Sequence, residues 1–410
     1  MTEGVRGATG KPPKKTNEDE NMKIAGIIAE YDPFHVGHAF HLRRTRELGA
    51  DAVCVVMSGD CVQRGMPAFF SKFDRAEVAV ENGADLVLEL PVQYAAAGTP
   101  VFAGYGVRLL AELGEGVINS LSFGSETGDL MALEAAAQAI ESVSDSEEVR
   151  ELMQQGLSFG KAVTRAAGQA GEVLLNPNDL LATEYIRAAK KYMPWASFTA
   201  VKRMGAPHGS QEDNGESISA SRIRAGFPDP SVTRYIPERF HEMTPVSYKK
   251  YDIHAYFSLV MNLSPDILQR SILDLPDGSE ALLGRIISVF ESGKYSGADD
   301  FAKALSSKNM TYAKARRIML GNILGLRKSD IGEIPFGRIL ALNETGVKIL
   351  AEAKKKKGLY CRTSLSDLRK RSPFAKRSAE LVLTASRLRE ICTYGKVVSN
   401  ELTRKVTVMK

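Results

Sequence analysis

MKIAGIIAEYDPFHVGHAFH, residues 22–41, is the stretch on which the reading of this chain turns. Met22 to Ala29 is an apolar, β-rich run. It passes through a turn containing Pro33 and a His-x-Gly-His sequence into a segment suited to a helix, residues 38–48. A strand feeding directly into a helix is the first half of a βαβ unit. Working outward, Ala52–Met57 (AVCVVM) and Asp85–Leu90 (DLVLEL) are further strand candidates, with a helical pattern over Lys72–Asn82 between them. Val117–Phe123 and Ser197–Lys202 supply a fourth and a fifth. A strand about every 30 residues predicts an α/β fold, a Rossmann-like parallel sheet with helices on both faces. Such sheets bind ligands beyond the carboxyl ends of their strands, and the histidine-bearing turn falls at one of those ends.

Three of the six histidines, His35, His38 and His41, lie within this turn and its helix start. A helix start offers backbone N–H groups and a positive dipole end, both suited to phosphate. Gly37 lets a bulky ligand approach the backbone. His35 and His38, three apart, share one side of the first helical turn. They are positioned to donate hydrogen bonds to phosphate oxygens and to offset charge as a phosphoanhydride breaks. A zinc site is the weaker reading. Metal-binding helices space their histidines by four, and no Cys or carboxylate is placed to complete a ligand set, so no metal ligand is assigned.

A second constellation is Ser217-Ile218-Ser219-Ala220-Ser221-Arg222-Ile223-Arg224. Hydroxyls followed by arginine suggest a loop entering a helix, with Ser219, Ser221 and guanidinium groups available to phosphates. Alone it is equally a capped surface helix. Beside His-x-Gly-His it completes the signature of the HIGH-motif nucleotidyltransferases, in which the two elements grip an ATP triphosphate.

Beyond about residue 245 the pattern becomes helical, over 253–261, 265–273, 279–292, 312–324, 344–356 and 375–393, with one strand candidate at Phe336–Leu342. The expected organisation is a disordered extension over 1–21, an ATP-binding catalytic domain over 22–240, and a mostly α-helical, basic, tRNA-binding C-terminal domain over 241–410. With 410 residues, 44% hydrophobic and 25% charged, the composition excludes a disordered or collagen-like chain. The length argues for two or three domains. No apolar run reaches the roughly 18 residues of a membrane span, and the polar first 21 residues lack the apolar segment of a secretory signal. Cys54, Cys61, Cys361 and Cys392 form no CxxC pair and are expected as reduced thiols, which points to the cytoplasm. Residues 351–410 carry a net charge of +11 on a chain whose total is +5. That asymmetry suggests a polyanionic partner met by the C-terminal part.

Further motifs narrow the likeness. EYDPFHVGH at Glu30–His38, Met57-Ser58-Gly59 with Gln63-Arg64-Gly65, Gly83-Ala84-Asp85 through Pro91, Phe123-Gly124-Ser125-Glu126, Asn176-Pro177-Asn178-Asp179, and Lys202-Arg203 followed by Gly205 and His208 are all present. The set resembles the bacterial tRNA(Met) cytidine acetate ligase family over essentially residues 22–410. The resemblance implies that ATP contacts fall on Ile28, Ala29, Glu30, Tyr31, Asp32, Pro33, Phe34, His35, Val36, Gly37, His38, Ala39, Phe40 and His41. It also implies contacts from Gly124, Asn178 and Arg203, with His35 and His38 as the catalytic pair. The chain departs from the family at Asp32, Val36 and Asp179, where asparagine is usual. Val36 occupies a variable position, whereas Asp179 leaves open which polar group touches the nucleotide.

The activity so implied is activation of acetate with ATP to acetyl-adenylate, with Mg²⁺ expected to bridge the phosphates. Transfer to N4 of the wobble cytidine of elongator tRNA(Met) follows. Two rivals remain at this stage: an adenylyltransferase or ligase of the same superfamily acting on a small molecule, and a nucleotide-dependent RNA-binding protein without turnover. Pyrophosphate release that needs acetate but not RNA separates the three.

Overall fold

The computed structural model describes residues 22–203, 218–261, 265–307, 309–404, 406 and 408–410. Its sheet is assembled from strands of very different sequence separation. β1 (Ile24–Ala29) is followed by helix α1 (Val36–Glu47) and β2 (Ala52–Ser58). A two-stranded hairpin, β3 (Cys61–Val62) with β4 (Met66–Pro67), precedes helix α2 (Lys72–Glu81) and β5 (Leu86–Leu90). Then come β6 (Ser120–Ser125), β7 (Ser197–Lys202), β8 (Gly337–Asn343), β9 (Cys361–Arg362) and β10 (Val408–Met409). The order across the main sheet is β10-β8-β5-β2-β1-β6-β7, with β9 also on β8.

From β5 to β7 every pairing is parallel, with Gly26 of β1 aligned to Cys54 of β2 and Leu121 of β6. Every residue of β2 is buried, as a strand covered on both faces requires. One face packs α1 and α2 through residues such as Leu42, Phe73 and Ala76. The other packs the helices Thr99–Ala111 and Pro177–Tyr192 through Phe102, Val107, Ala182 and Ile186. The expected strand at Val117–Phe123 begins three residues late. Asn119 occupies the start of the ladder, giving its N–H to the Ile24 carbonyl (3.1 Å) and accepting the Ile24 N–H on its side chain (3.0 Å).

The sequence division near residue 240 does not divide the sheet. β8 pairs antiparallel with β5, bringing a strand of the C-terminal part into the nucleotide-binding sheet. The first core cluster is continuous from Val53 and Phe73 to Ile318, Leu320 and Leu388 of the helices Tyr312–Leu324 and Pro373–Tyr394. Lys72, left unassigned by sequence, fastens this junction. Its fully buried ammonium lies 2.8 Å from Glu89 and 2.5 Å from Glu401, and Arg338 reaches both carboxylates. All four cysteines are free thiols, three of them buried. No helix among the described residues is long and apolar enough to cross a membrane. The extension over 1–21 lies outside the described residues.

Candidate active site

The chain moves from β1 outward to β2 and β5, then returns to the other side of β1 with β6. The strand order therefore reverses between β1 and β6, and a crevice opens beyond their carboxyl ends. A cavity of about 260 Å³ lies there. One wall is Ile28, Ala29, Glu30, Tyr31, Asp32, His35, His38 and His41; facing it are Gly124, Asn178, Arg203, Ser219 and Ser221. Residues 175 positions apart in sequence are thus brought to one opening.

The remaining residues of the first stretch support this wall without lining it. Phe34 is fully buried beneath the rings of Tyr31 and His38, at centroid distances of 4.9 and 5.6 Å. Pro33 is buried, Val36 is exposed, and Ala39 packs on the core. Phe40 lies under the Arg43 guanidinium. Tyr31 turns the chain at the end of β1 with φ +50°, in the left-handed region.

The start of α1 differs from the sequence expectation in one chemical respect. Its first N–H groups are already satisfied. Val36 N–H goes to the Tyr235 carbonyl (2.9 Å), Gly37 N–H to His35 Nδ1 (3.0 Å), and His38 and Ala39 N–H to the His35 carbonyl (2.8 and 3.1 Å). The reason is that His35 is itself the helix N-cap, and its ring folds back over the first turn. What remains for a ligand is the histidine rings. His38 Nδ1 accepts the His35 N–H at 3.2 Å. With both Nδ1 atoms acting as acceptors, neutral His35 and His38 carry their protons on Nε2. The two rings stack at 3.8 Å, so they present parallel donors.

His41 is fixed by a longer chain of bonds. Thr45 O–H donates to the His41 carbonyl (2.9 Å), so at the Thr45–Ser122 contact (2.6 Å) Ser122 donates. Ser122 then accepts from His41 Nε2–H at 3.0 Å. Burial and neighbouring arginines hold the His35 imidazole down to about 3 and that of His41 to about 4, and burial lowers His38 well below its usual range. The empty site therefore holds three neutral imidazoles near pH 7, and its positive charge comes from arginine.

Arg203, at the end of β7, is anchored by its N–H to the Ser125 carbonyl (2.9 Å). Asn178 donates its side-chain amide to Glu126 Oε1 at 2.6 Å. Asp179 is fully buried and makes no wall. Its carboxylate accepts from Ser125 O–H, Glu126 N–H (3.0 Å) and Asn176 Nδ2 (3.1 Å), bracing the turn that carries Gly124. That answers which polar group at 178–179 faces the cavity. Ser219 caps the helix Ala220–Gly226 by accepting the Arg222 N–H (3.3 Å), and Ser221 accepts from Arg224 Nη2 (3.0 Å).

Sequence reasoning left Arg224, Gln63, Arg64 and Tyr185 out of the site, although all four line it. Arg224 and Arg64 both pair with Asp32, whose other oxygen accepts the Phe69 N–H at 2.6 Å. These arginines hold the Asp32 carboxyl below its usual range. Arg224 was legible as the residue three after Ser221, one helical turn on. Gln63 and Arg64 stood in a quoted motif, but only the β3–β4 hairpin brings them over β1. Burial raises Glu30, whose Oε1 accepts the Gln63 N–H at 2.6 Å. Arg75 is structural: its guanidinium holds the carbonyls of Glu30, Gly59 and Phe70. Gly205, His208 and Ser217 lie outside the described residues.

Among the described residues no group of three or more His, Cys, Asp or Glu side chains could hold a metal ion. With Asp32 committed to two arginines and an N–H, the protein offers no Mg²⁺ cage. Part of the basic C-terminal surplus is also committed. Arg389 is buried near Asp60, and Arg377 pairs with Asp330 at 2.9 Å. The exposed run Lys354–Lys357 ends the helix Glu344–Lys355 beside Glu112 and Gly114. That is the sheet edge opposite the cavity, because the helix Thr99–Ala111 starts just past the carboxyl end of β5 and runs away from it.

Comparison with known proteins agrees with this geometry. Residues 22–405 match the family model described as HIGH Nucleotidyl Transferase. The tRNA(Met) cytidine acetate ligase of Thermoanaerobacter sp. (strain X514) is 33% identical over 85% of this chain and 90% of its own length. The protein of the same name from Acetivibrio thermocellus is 28% identical over 95% and 100%. The crystal structure of Thermotoga maritima TmcAL (apo) superposes with a TM-score of 0.81 at 28% identity, covering 91% of this chain and 95% of that one. A second crystal form, bound with alpha-thio ATP, gives a TM-score of 0.78 at 27% identity and the same coverage.

Proposed function

This chain belongs to the tRNA(Met) cytidine acetate ligase family of HIGH nucleotidyl transferases, and we propose that it joins acetate to the wobble cytidine of elongator tRNA(Met) in two ATP-driven steps. First, a carboxylate oxygen of acetate attacks the α-phosphorus of ATP. The bond to the bridging oxygen breaks, pyrophosphate leaves with the electron pair, and acetyl-adenylate remains. Second, the N4 amine of cytidine 34 attacks the acetyl carbonyl carbon. AMP departs, the amine gives up a proton, and N4-acetylcytidine is formed.

The observation that carries this reading is the two-sided cavity at the switch point. Phe123, Leu181 and Tyr185 offer an apolar wall for adenine and ribose. His35, His38, Arg203, Ser219, Ser221 and Arg224 offer donors to the triphosphate. The fixed Nε2–H groups of His35 and His38 need no reorganisation as charge shifts toward the leaving pyrophosphate, which is where preorganised donors are worth most. The arginines supply the charge that neutral histidines do not. Glu30, with its pKa raised by burial, is a carboxyl able to take a proton near neutrality. Mg²⁺, if bound, belongs to the nucleotide's own phosphates, and no step here depends on it. A tRNA and ATP as substrates go with a cytoplasmic reaction.

The test is acetate-dependent exchange of labelled pyrophosphate into ATP without RNA, followed by mass analysis of nucleosides from tRNA incubated with ATP and labelled acetate. Exchange indifferent to acetate refutes the first step. Labelled acetyl-adenylate without labelled N4-acetylcytidine refutes the second.

A further inference from the structure

A second cavity, of about 350 Å³, opens on the same edge of the sheet, past β5, between that edge and the C-terminal helices. The β3–β4 turn separates it from the nucleotide cavity. Gln63 of this turn lines the first cavity, and Arg317 lines the second. The Gln63 peptide is gripped from both sides: its N–H by Glu30 (2.6 Å), its carbonyl by Arg317 Nη1 (3.2 Å). Gly65 seals the contact. Its φ is +76°, and a Cβ there would come within 2.4 Å of the Arg317 nitrogen.

The walls of this second cavity are mainly apolar, through residues such as Ala97, Val101, Leu275 and Ile318, and its rim carries exposed Lys328 and Asp277. Two polar groups on its lining are unspent. Gln93 is 1% exposed; its Nε2 donates to Ser378 at 2.9 Å, while its Oε1 is buried with no partner among the described residues. Arg317 Nε is buried and unpartnered in the same sense. An acceptor and a donor left unpaired in an apolar cavity are costly unless a ligand completes them. A cavity with apolar walls and a few convergent polar groups is the general form of a small-molecule or base pocket.

We propose that this second cavity is the acceptor site, which takes a cytosine extruded from single-stranded RNA. Cytosine presents an amine donor beside a ring acceptor, matching Gln93 Oε1 and the Arg317 guanidinium. Uracil would set a carbonyl oxygen against Gln93 Oε1, so the same pair rejects it. The Gln63 partition then lies between the amine and the adenylate. Lys328 at the rim is placed for the RNA backbone. This rests on the function proposed above and adds to it where the acceptor enters.

The test separates the half-reactions in the full-length protein. Gly98 lines the second cavity but not the first, has an extended backbone (φ −66°), and a Cβ built on it meets no atom within 4 Å. Gly98→Leu therefore fills the cavity without a clash. In single turnover, acetyl transfer from acetyl-adenylate to a tRNA(Met) transcript is expected to fall about 100-fold. Acetate-dependent pyrophosphate exchange is expected to stay within about threefold, since the two cavities are walled apart. Gln93→Leu supplies the second readout. The wild type binds the cytidine-34 transcript in preference to its uridine-34 counterpart, and Gln93→Leu loses that preference. Transfer at the wild-type rate in Gly98→Leu overturns the proposal, as does an unchanged preference in Gln93→Leu. Failure of wild-type exchange to depend on acetate would instead overturn the function on which it rests.

Discussion

Gly37→Ala tests whether the fold of His35 over the first turn of α1 is what orders the catalytic donors. A Cβ at position 37 would lie 2.9 Å from His35 Cε1 and 3.1 Å from its Nδ1. Carbon atoms at that separation repel, so the ring must yield by several tenths of an ångström, to about 3.5 Å. Yielding lengthens the 3.0 Å bond from Gly37 N–H to Nδ1. It also frees the ring to change tautomer and displaces His38, which stacks on it at 3.8 Å. The stability cost is one hydrogen bond, about 1 kcal/mol, partly offset by the better helix propensity of alanine. The catalytic cost is larger. Misplacing a preorganised donor by a fraction of an ångström to 1 Å is worth on the order of 10² in rate. The variant is thus expected to lower acetate-dependent pyrophosphate exchange about 100-fold while its melting temperature falls by only a few degrees. Gly124→Ala is the matched control: its Cβ meets nothing nearer than Arg203 Cγ at 3.7 Å, so it touches no histidine. Wild-type exchange in folded Gly37→Ala would refute the claim that the His35 ring position governs the first step.

Arg203→Lys and Arg203→Ala are both expected to slow acetyl-adenylate formation, alanine more, because lysine keeps the charge and loses the planar fork; single turnover without tRNA measures this, and equal rates would move Arg203 out of the site. The histidines predict an acid-side stability loss. Unfolded histidine titrates near 6.5, whereas His35 and His41 stay neutral to about 3 and 4; the unfolded chain binds more protons in that window, so their contribution is full above pH 6.5 and is lost as pH falls toward 4. His41→Asn should flatten the fall of the urea midpoint between pH 6.5 and 5 relative to wild type, and an identical slope would contradict the neutral assignment. Lys72→Met leaves Glu89 and Glu401 buried with Arg338 alone, and its cost by chemical denaturation is expected at about 3–5 kcal/mol; a loss below about 1 kcal/mol would mean that this network does not hold the C-terminal part to the sheet.

The sequence by itself determined what depends on neighbours along the chain. β2 and β7 fall where runs of buried-type residues place them, because a parallel strand covered on both faces needs such a run. The position of His35 and His38 after β1 was legible because the strand, the turn and the helix start lie within twenty residues. The hydroxyl loop at Ser219 and Ser221 was legible for the same reason. Only the tertiary structure decided the rest. An apolar strand of seven residues carries no label for its partner, so nothing in Gly337–Asn343 says that it joins β5 antiparallel across some 250 residues. Burial set the charge of the three histidines, and burial is a property of what surrounds a side chain. The spent N–H groups of α1 required the Tyr235 carbonyl, 199 residues on, to be seated on Val36. The partition at Gln63 required Glu30 on one side and Arg317 on the other. Each of these is a pairing between distant parts of the chain, fixed when the whole core closes, and a local pattern of residues holds no record of it.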